Sequence, residues 1–141
     1  MNVFLDSSAL AKRYINESGS DRVEEILASA SSLGVSVLCL SEIISALCRR
    51  RRERKLSAQQ YAMAKEALLN DIADASVVYV TDHVVAHAVD LLERWPVRSS
   101  DSLHVAAAAE WSADLFVSAD HRQCVAARGC GLQVEDLTAA S

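Results

Sequence analysis

NVFLDSSAL, residues 2–10, runs an apolar segment straight into a carboxylate and two hydroxyls. Val3, Phe4 and Leu5 have the continuous apolar character of a strand buried on both faces, and the change to Asp6, Ser7 and Ser8 marks a helix start. On local grounds Asp6 or Ser7 caps a helix opening at Ala9. Whether the acid does more than cap depends on what the rest of the chain puts at equivalent places.

The same strand-then-helix pattern recurs. Strand candidates at Asn2–Leu5, Gly34–Cys39, Ser76–Val80, Leu115–Val117 and Leu132–Val134 are separated by helical stretches. Val23, Ile26, Leu27 and Ala30 form one apolar stripe, Tyr61, Ala64, Leu68 and Ile72 a second, and Val85, Ala88, Val89 and Leu92 a third. Such alternation predicts an α/β fold, a three-layer sandwich with a mostly parallel central sheet flanked by helices. With 141 residues, 51% of them hydrophobic, the chain is expected to form a single domain over 1–141 with its own core. Its one proline, Pro96, marks no linker, and there is neither a repeat nor a low-complexity segment. A frayed tail is expected from about Thr138 to Ser141.

No apolar run reaches the length of a membrane span, and the early Asp6 is unlike a secretory leader, so a soluble, cytoplasmic protein is expected. Cys39, Cys48, Cys124 and Cys130 lack C-x-x-C spacing and read as ordinary thiols rather than zinc ligands or disulfides. The only G-x-G, Gly129 to Gly131, comes near the C-terminus with no helix after it, so neither a P-loop nor a dinucleotide fingerprint is present. A phosphoacceptor receiver would need a lysine after its last strand, but the lysines are Lys12, Lys55 and Lys65. A haloacid dehalogenase-type phosphatase would need an aspartate where Ser8 stands.

In open parallel sheets, ligands gather outside the carboxyl ends of the strands. Asp6 follows the first strand, Glu42 in LCLSEII lies past the second, and Asp120 in LFVSAD lies past the strand at Leu115–Val117. Asp101, in RSSDSLHVAAAAEW, stands in the first turn of a small-residue helix, with Ser99 or Ser100 expected as cap. Ala106 to Ala109 would let that helix approach the sheet closely. Like charges about 4 Å apart repel by roughly 4 kcal/mol at an effective dielectric near 20, so clustered acids call for a cation. Oxygen-only ligands suit Mg²⁺ or Mn²⁺, which activate water for attack on phosphate.

The net charge of −5 is unevenly spread: CRRRRERK, residues 48–55, carries six positive side chains against Glu53. Arg49, Arg50, Arg51 and Arg52 read either as a solvated helix end that complements the macrodipole or as a track for phosphates. Aromatic residues are too few for extended base stacking, with Tyr14 and Trp111 as local candidates. His83 and His87 are four apart on one helix, but no third ligand accompanies them. His104 and His121 stand close to candidate acids, either to touch substrate or simply to pack.

VFLDSSAL, LSEIISALCRRR, SSDSLHVAAA and LFVSADHRQ, in that order, resemble the PIN domain family, especially the VapC-type toxins of toxin–antitoxin pairs. AARGCGLQVEDL is similar to the family's closing helix and strand. The resemblance implies a single PIN-like domain that acts as a Mg²⁺- or Mn²⁺-dependent endoribonuclease and leaves a 5′-phosphate and a 3′-hydroxyl. By that carry-over Asp6, Glu42, Asp101 and Asp120 are the catalytic acids. Asp6 and Asp101 bind metal most directly, Asp120 directly or through water, and Glu42 orients water or completes the site. Ser8 and Ser118 take supporting roles beside them. The resemblance further implies an RNA substrate, a homodimer and a small cognate antitoxin. A PIN-like RNA-binding or scaffold module with little catalysis is the alternative, against which the presence of all four acids speaks.

Overall fold

The computed structural model describes residues 1–139. In chain order the elements are β1 (Asn2–Leu5), α1 (Ser7–Leu10), a 3-10 turn (Ala11–Arg13), α2 (Ser20–Ser29), β2 (Ser32–Ser36), α3 (Leu38–Arg52), α4 (Ala58–Asp74), β3 (Ser76–Val78), α5 (Asp82–Arg94), α6 (Ser99–Glu110), β4 (Leu115–Ser118), α7 (His121–Gly129) and β5 (Val134–Asp136). The strands form one sheet in the order β3-β2-β1-β4-β5. Each of its four pairings is parallel, so the sheet is wholly parallel.

Alternation along β1 divides the core. Val3 and Leu5 point to one face, where they join Leu10, Val23, Val35, Ile43, Leu47, Leu68 and Val117 beneath α1 to α4. Phe4 points to the other, against Val84, Leu91, Val105 to Ala108 and Phe116 beneath α5 to α7. A strand covered on both sides has no polar face, which is why β1 is apolar from Val3 to Leu5. Phe4 stacks on Phe116 with ring centroids 6.0 Å apart, and truncating either to alanine should cost about 3–5 kcal/mol. Gly34 in β2 leaves room for Trp111: a Cβ there would come within 2.6 Å of the indole ring.

Several expected boundaries move. β2 ends at Ser36, three residues before the expected limit at Cys39, because Leu38, Cys39 and Leu40 already belong to α3. The apolar run fits either element, and burial of Cys39, Ile43 and Leu47 at four-residue spacing decides for helix. β3 stops at Val78; Tyr79 and Val80 are exposed, and the Thr81 side chain caps α5. β4 runs one residue further, to Ser118, and β5 is Val134–Asp136 rather than Leu132–Val134, since Leu132 N–H still closes the end of α7 on Ala127. The third stripe is rotated by one position: α5 buries Val84, Ala88 and Leu91, leaving Val85, Val89 and Leu92 exposed. Of the expected tail, Ala140 and Ser141 lie outside the described residues, while Thr138 is tied to the Asp136 carboxylate through its N–H and hydroxyl.

The chain winds from β1 outward through β2 to β3, then returns to β4 beside β1 and winds outward the other way. The reversal falls between β1 and β4. Their carboxyl ends therefore open the crevice where this architecture places ligands.

Candidate active site

Asp6 leaves β1 in extended backbone and becomes the N-cap of α1. Its Oδ1 accepts from Ser8 Oγ at 2.7 Å and from Ala9 N–H at 2.9 Å, and its Oδ2 accepts from Ser118 Oγ at 2.5 Å. The side chain is fully buried. Burial pushes its pKa above the ordinary carboxylate value, against the Ser118 hydroxyl, the charge of His104, and the Ser8 and Ala9 donors, which all favour the anion. Both readings of the opening stretch meet in one residue, since the cap is also the acid at the crevice.

Ser118, the last residue of β4, donates to Asp6 and accepts from Asp120 N–H at 2.9 Å, so one hydroxyl links the acids at the ends of β1 and β4. Asp120 itself caps α7, its Oδ1 accepting from Arg122 N–H at 3.0 Å. Ser8 ties the same two strand ends by accepting from Ala119 N–H at 2.9 Å. The two serines singled out in the sequence thus both contact Asp6.

Glu42 enters from the second turn of α3. Ser7 donates to its Oε1 at 2.7 Å, and the buried His104 places Nε2 2.5 Å from the same oxygen. That contact takes the Nε2 side of the ring, and the buried Nδ1 has no partner. Glu42 is held below the usual carboxylate range, chiefly by the His104 hydrogen bond. His104 therefore touches an acid rather than merely filling space. His121, by contrast, places Nδ1 2.7 Å from Asp136 and bonds none of the four acids.

Asp101 lies in the first turn of α6, almost wholly buried. Its Oδ1 accepts from Gln123 Nε2 of α7 at 3.1 Å and its Oδ2 from Arg98 Nε at 3.2 Å. The expected cap is corrected here: Ser99 and Ser100 are inside the helix, Arg98 occupies the N-cap position, and no side chain makes a capping bond. Ala106, Ala107 and Ala108 are buried, as close helix–sheet approach requires.

Ser7, Gln123 and Arg98 are contacts that sequence reasoning missed. Arg98 had a signal in its three-residue spacing from Asp101, whereas Gln123 had none, since the partnership depends on how α6 and α7 pack.

The arginine run divides. Arg50 is half-buried, with a partnerless Nε, and Arg51 lies over the Tyr61 ring at 5.3 Å. Arg49 and Arg52 are exposed, and Arg49 stands seven residues after Glu42, two turns along the same helix stripe. No hydrogen bond or ion pair joins Arg49, Arg50, Arg51 or Arg52 to the four acids among the described residues. The stacking candidates are engaged elsewhere, Trp111 beside Phe4 and Tyr14 through its hydroxyl on Asp71. Cys39 and Cys124 are buried free thiols, and burial pushes each up to about 12.

Among the described residues no three His, Cys, Asp or Glu side chains converge closely enough to form a metal-binding group as they stand. The chemistry of the donors nevertheless fits a hard cation. The four acids offer only oxygen, burial of Asp6 disfavours its charged form, which a cation would favour, and the Arg98 guanidinium already rests on Asp101.

Residues 3–129 match the family model described as PIN domain. The chain belongs to the PIN domain family. Solved structures share the fold. VapC20 of Mycobacterium tuberculosis, described as a sarcin–ricin loop cleaving toxin, has a TM-score of 0.68 and 18% identity over 92% of this chain and 95% of its own. FitAcB of Neisseria gonorrhoeae has a TM-score of 0.70 at 15% identity, covering 98% and 99% of the two chains. The DNA-bound VapBC of Salmonella typhimurium has a TM-score of 0.70 at 16% identity, covering 97% and 98%. No curated protein matches the sequence. In this PIN domain the acids are delivered by the end of β1, α3, α6 and the start of α7, with Ser7, Ser8, Ser118 and His104 joining them.

Proposed function

We propose that the chain, as a single PIN-like domain over 1–141, is a Mg²⁺- or Mn²⁺-dependent endoribonuclease and the toxin of a toxin–antitoxin pair. The observation that supports this reading best is the buried Asp6 carboxylate at the sheet's reversal point, joined through the Ser118 hydroxyl to the backbone N–H of Asp120. Keeping an anion there is costly without a cation. Asp6, Asp101 and Asp120 would hold the metal, and Asp6, Glu42, Asp101 and Asp120 together would form the catalytic acids. When bound, a divalent cation supplies Lewis acidity at the phosphate and lowers the pKa of attacking water. Ser8 and Ser118 donate to the two oxygens of Asp6, which favours its anion against burial and fixes its orientation. Ser7 and His104 fix Glu42, whose depressed pKa keeps it an acceptor able to orient a water. Cleavage leaves a 5′-phosphate and a 3′-hydroxyl.

The partners follow from the same reading: an RNA substrate, with Arg49 to Arg52 as candidate phosphate contacts, and a small antitoxin of the kind seen with the VapC relatives. A homodimer is supported by α5, where Val85, Val89 and Leu92 leave an apolar stripe 44%, 48% and 39% exposed. No helix among the described residues is long and apolar enough to cross a membrane, and cytoplasmic action is part of the proposal.

The test is RNA cleavage with Mn²⁺, with chelator, and with metal restored. The parent should cut only with metal. Asp101→Asn should be folded and inactive, because it keeps the shape and removes a ligand charge. Parent-like cutting by that variant would refute the site. A folded parent that binds RNA but never cuts it would favour the scaffold reading.

A further inference from the structure

Arg98 stands at the N-cap of α6, and its Nε bonds Asp101 Oδ2 at 3.2 Å. The negative charges of Asp101, Asp120 and Glu42 all act on it. One guanidinium therefore lies in the field of carboxylates from α3, α6 and the cap of α7. The two members of the ion pair are oppositely placed towards solvent: the Arg98 side chain is 79% exposed and that of Asp101 only 8%. Among the described residues no hydrogen bond or ion pair engages the terminal nitrogens of Arg98. An arginine anchored by Nε and open at its outer edge has the planar fork that matches two oxygens of a phosphate.

We propose that Arg98 is a positioning residue for the scissile phosphate, serving as counter-charge to Asp101 in the free protein and gripping the phosphate with its outer edge when RNA docks. The proposal rests on the nuclease reading above. It makes Arg98 and a divalent cation competitors for the same acidic field in the absence of RNA. A bound phosphate, carrying negative charge between the two, removes that conflict, so RNA and metal bind with mutual help.

The experiment compares parent, Arg98→Gln and Arg98→Lys. First, Mn²⁺ binding is measured by calorimetry without RNA. Arg98→Gln should bind about three- to tenfold more tightly, as expected for losing one positive charge near the ion in a partly solvated site. Second, RNA affinity is followed across a salt series in Mn²⁺, with Glu42→Gln as a non-cutting background. Adding Arg98→Gln should flatten the slope of log affinity against log salt by about 0.7, one phosphate contact on a single strand. Third, cleavage by Arg98→Gln should show a raised KM together with a reduced kcat. Arg98→Lys should restore the metal affinity and the salt slope, but not the full rate, because an ammonium lacks the fork.

A parent that binds Mn²⁺ and cuts RNA, beside an Arg98→Gln variant alike in metal affinity, salt slope and rate, would reduce Arg98 to a surface ion pair and overturn the proposal alone. A parent that neither binds Mn²⁺ nor cuts RNA would overturn the nuclease reading and this role with it.

Discussion

Replacing Ser118 by alanine removes one hydroxyl and disturbs two acids. The Oδ2 of Asp6 loses its 2.5 Å donor, and the N–H of Asp120 loses its 2.9 Å acceptor. A hydrogen bond to a charged group contributes about 1.5–3 kcal/mol, and an orphaned but partly wettable N–H adds up to about 1. Ser118→Ala should therefore lower stability by about 2–4 kcal/mol at neutral pH. For a chain of this size that is a fall in Tm of roughly 7–14 °C. The effect should depend on pH, with a definite sign. Burial raises the folded pKa of Asp6, so the folded state binds its proton more tightly than the unfolded chain does. Stability is thus fully present below the ordinary aspartate range and is lost as pH rises through the folded pKa. Ser118 is the strongest of the groups that oppose this loss. Below that range Asp6 is neutral in parent and variant alike, and the deficit should shrink to about 1 kcal/mol, the worth of a neutral hydrogen bond. Urea unfolding at a series of pH values, with chelator present, measures both curves, and Ser118→Thr, which keeps the hydroxyl, should track the parent. A deficit under about 0.5 kcal/mol at neutral pH, or one that does not change with pH, would show that Ser118 does not hold an ionised Asp6.

Arg49→Gln should flatten the salt dependence of RNA binding by about 0.7, whereas Arg51→Gln, whose guanidinium is taken up by Tyr61, should leave the slope unchanged; equal slopes in both variants would end the distinction. Val89→Glu, on the exposed stripe of α5, should yield a monomer by light scattering while shifting the Tm little, and an unchanged mass would place any dimer contact elsewhere. Gly34→Ala should destabilise by about 1–3 kcal/mol in urea and alter the Trp111 fluorescence, since its new methyl would meet the indole; parent-like unfolding would mean that the ring moves aside freely.

The strand at Asn2–Leu5 and the acid after it were legible because a strand buried on both faces and a cap leave separate marks in a few adjacent residues. Asp6, Glu42 and Asp120 could be placed near one sheet edge because each comes soon after a strand, and Asp101 could be placed in the first turn of a helix. Less was readable where one composition serves two geometries. Val37 to Leu40 suits strand and helix alike until the burial of Ile43 and Leu47 selects the helix. On α5 two apolar stripes lie one residue apart, and only packing against α6 chose Val84, Ala88 and Leu91. The partners of Gln123 and Ser7 could not be read from the sequence, because Asp101 and Glu42 come from other elements and polar contacts carry no periodicity to announce them.

The central strand is also made before the other four strands of its sheet. β1 takes β2 as a neighbour about 30 residues later, but its other flank is β4, and the Ser118 hydroxyl that reaches Asp6 is 112 residues away in the chain. At roughly 5–20 residues per second, translation separates the two by on the order of ten seconds. During that interval β1 has one edge unpaired and Asp6 is hydrated, with none of the partners from β4. Closing so long a loop is also slow for entropic reasons, which puts the β1–β4 pairing among the last steps of folding. A nascent chain halted before residue 118 would carry Asp6 and Glu42 without the strand that joins them to Asp120. By this topology the acidic centre is assembled only after residue 118 has been made, more than a hundred residues after Asp6.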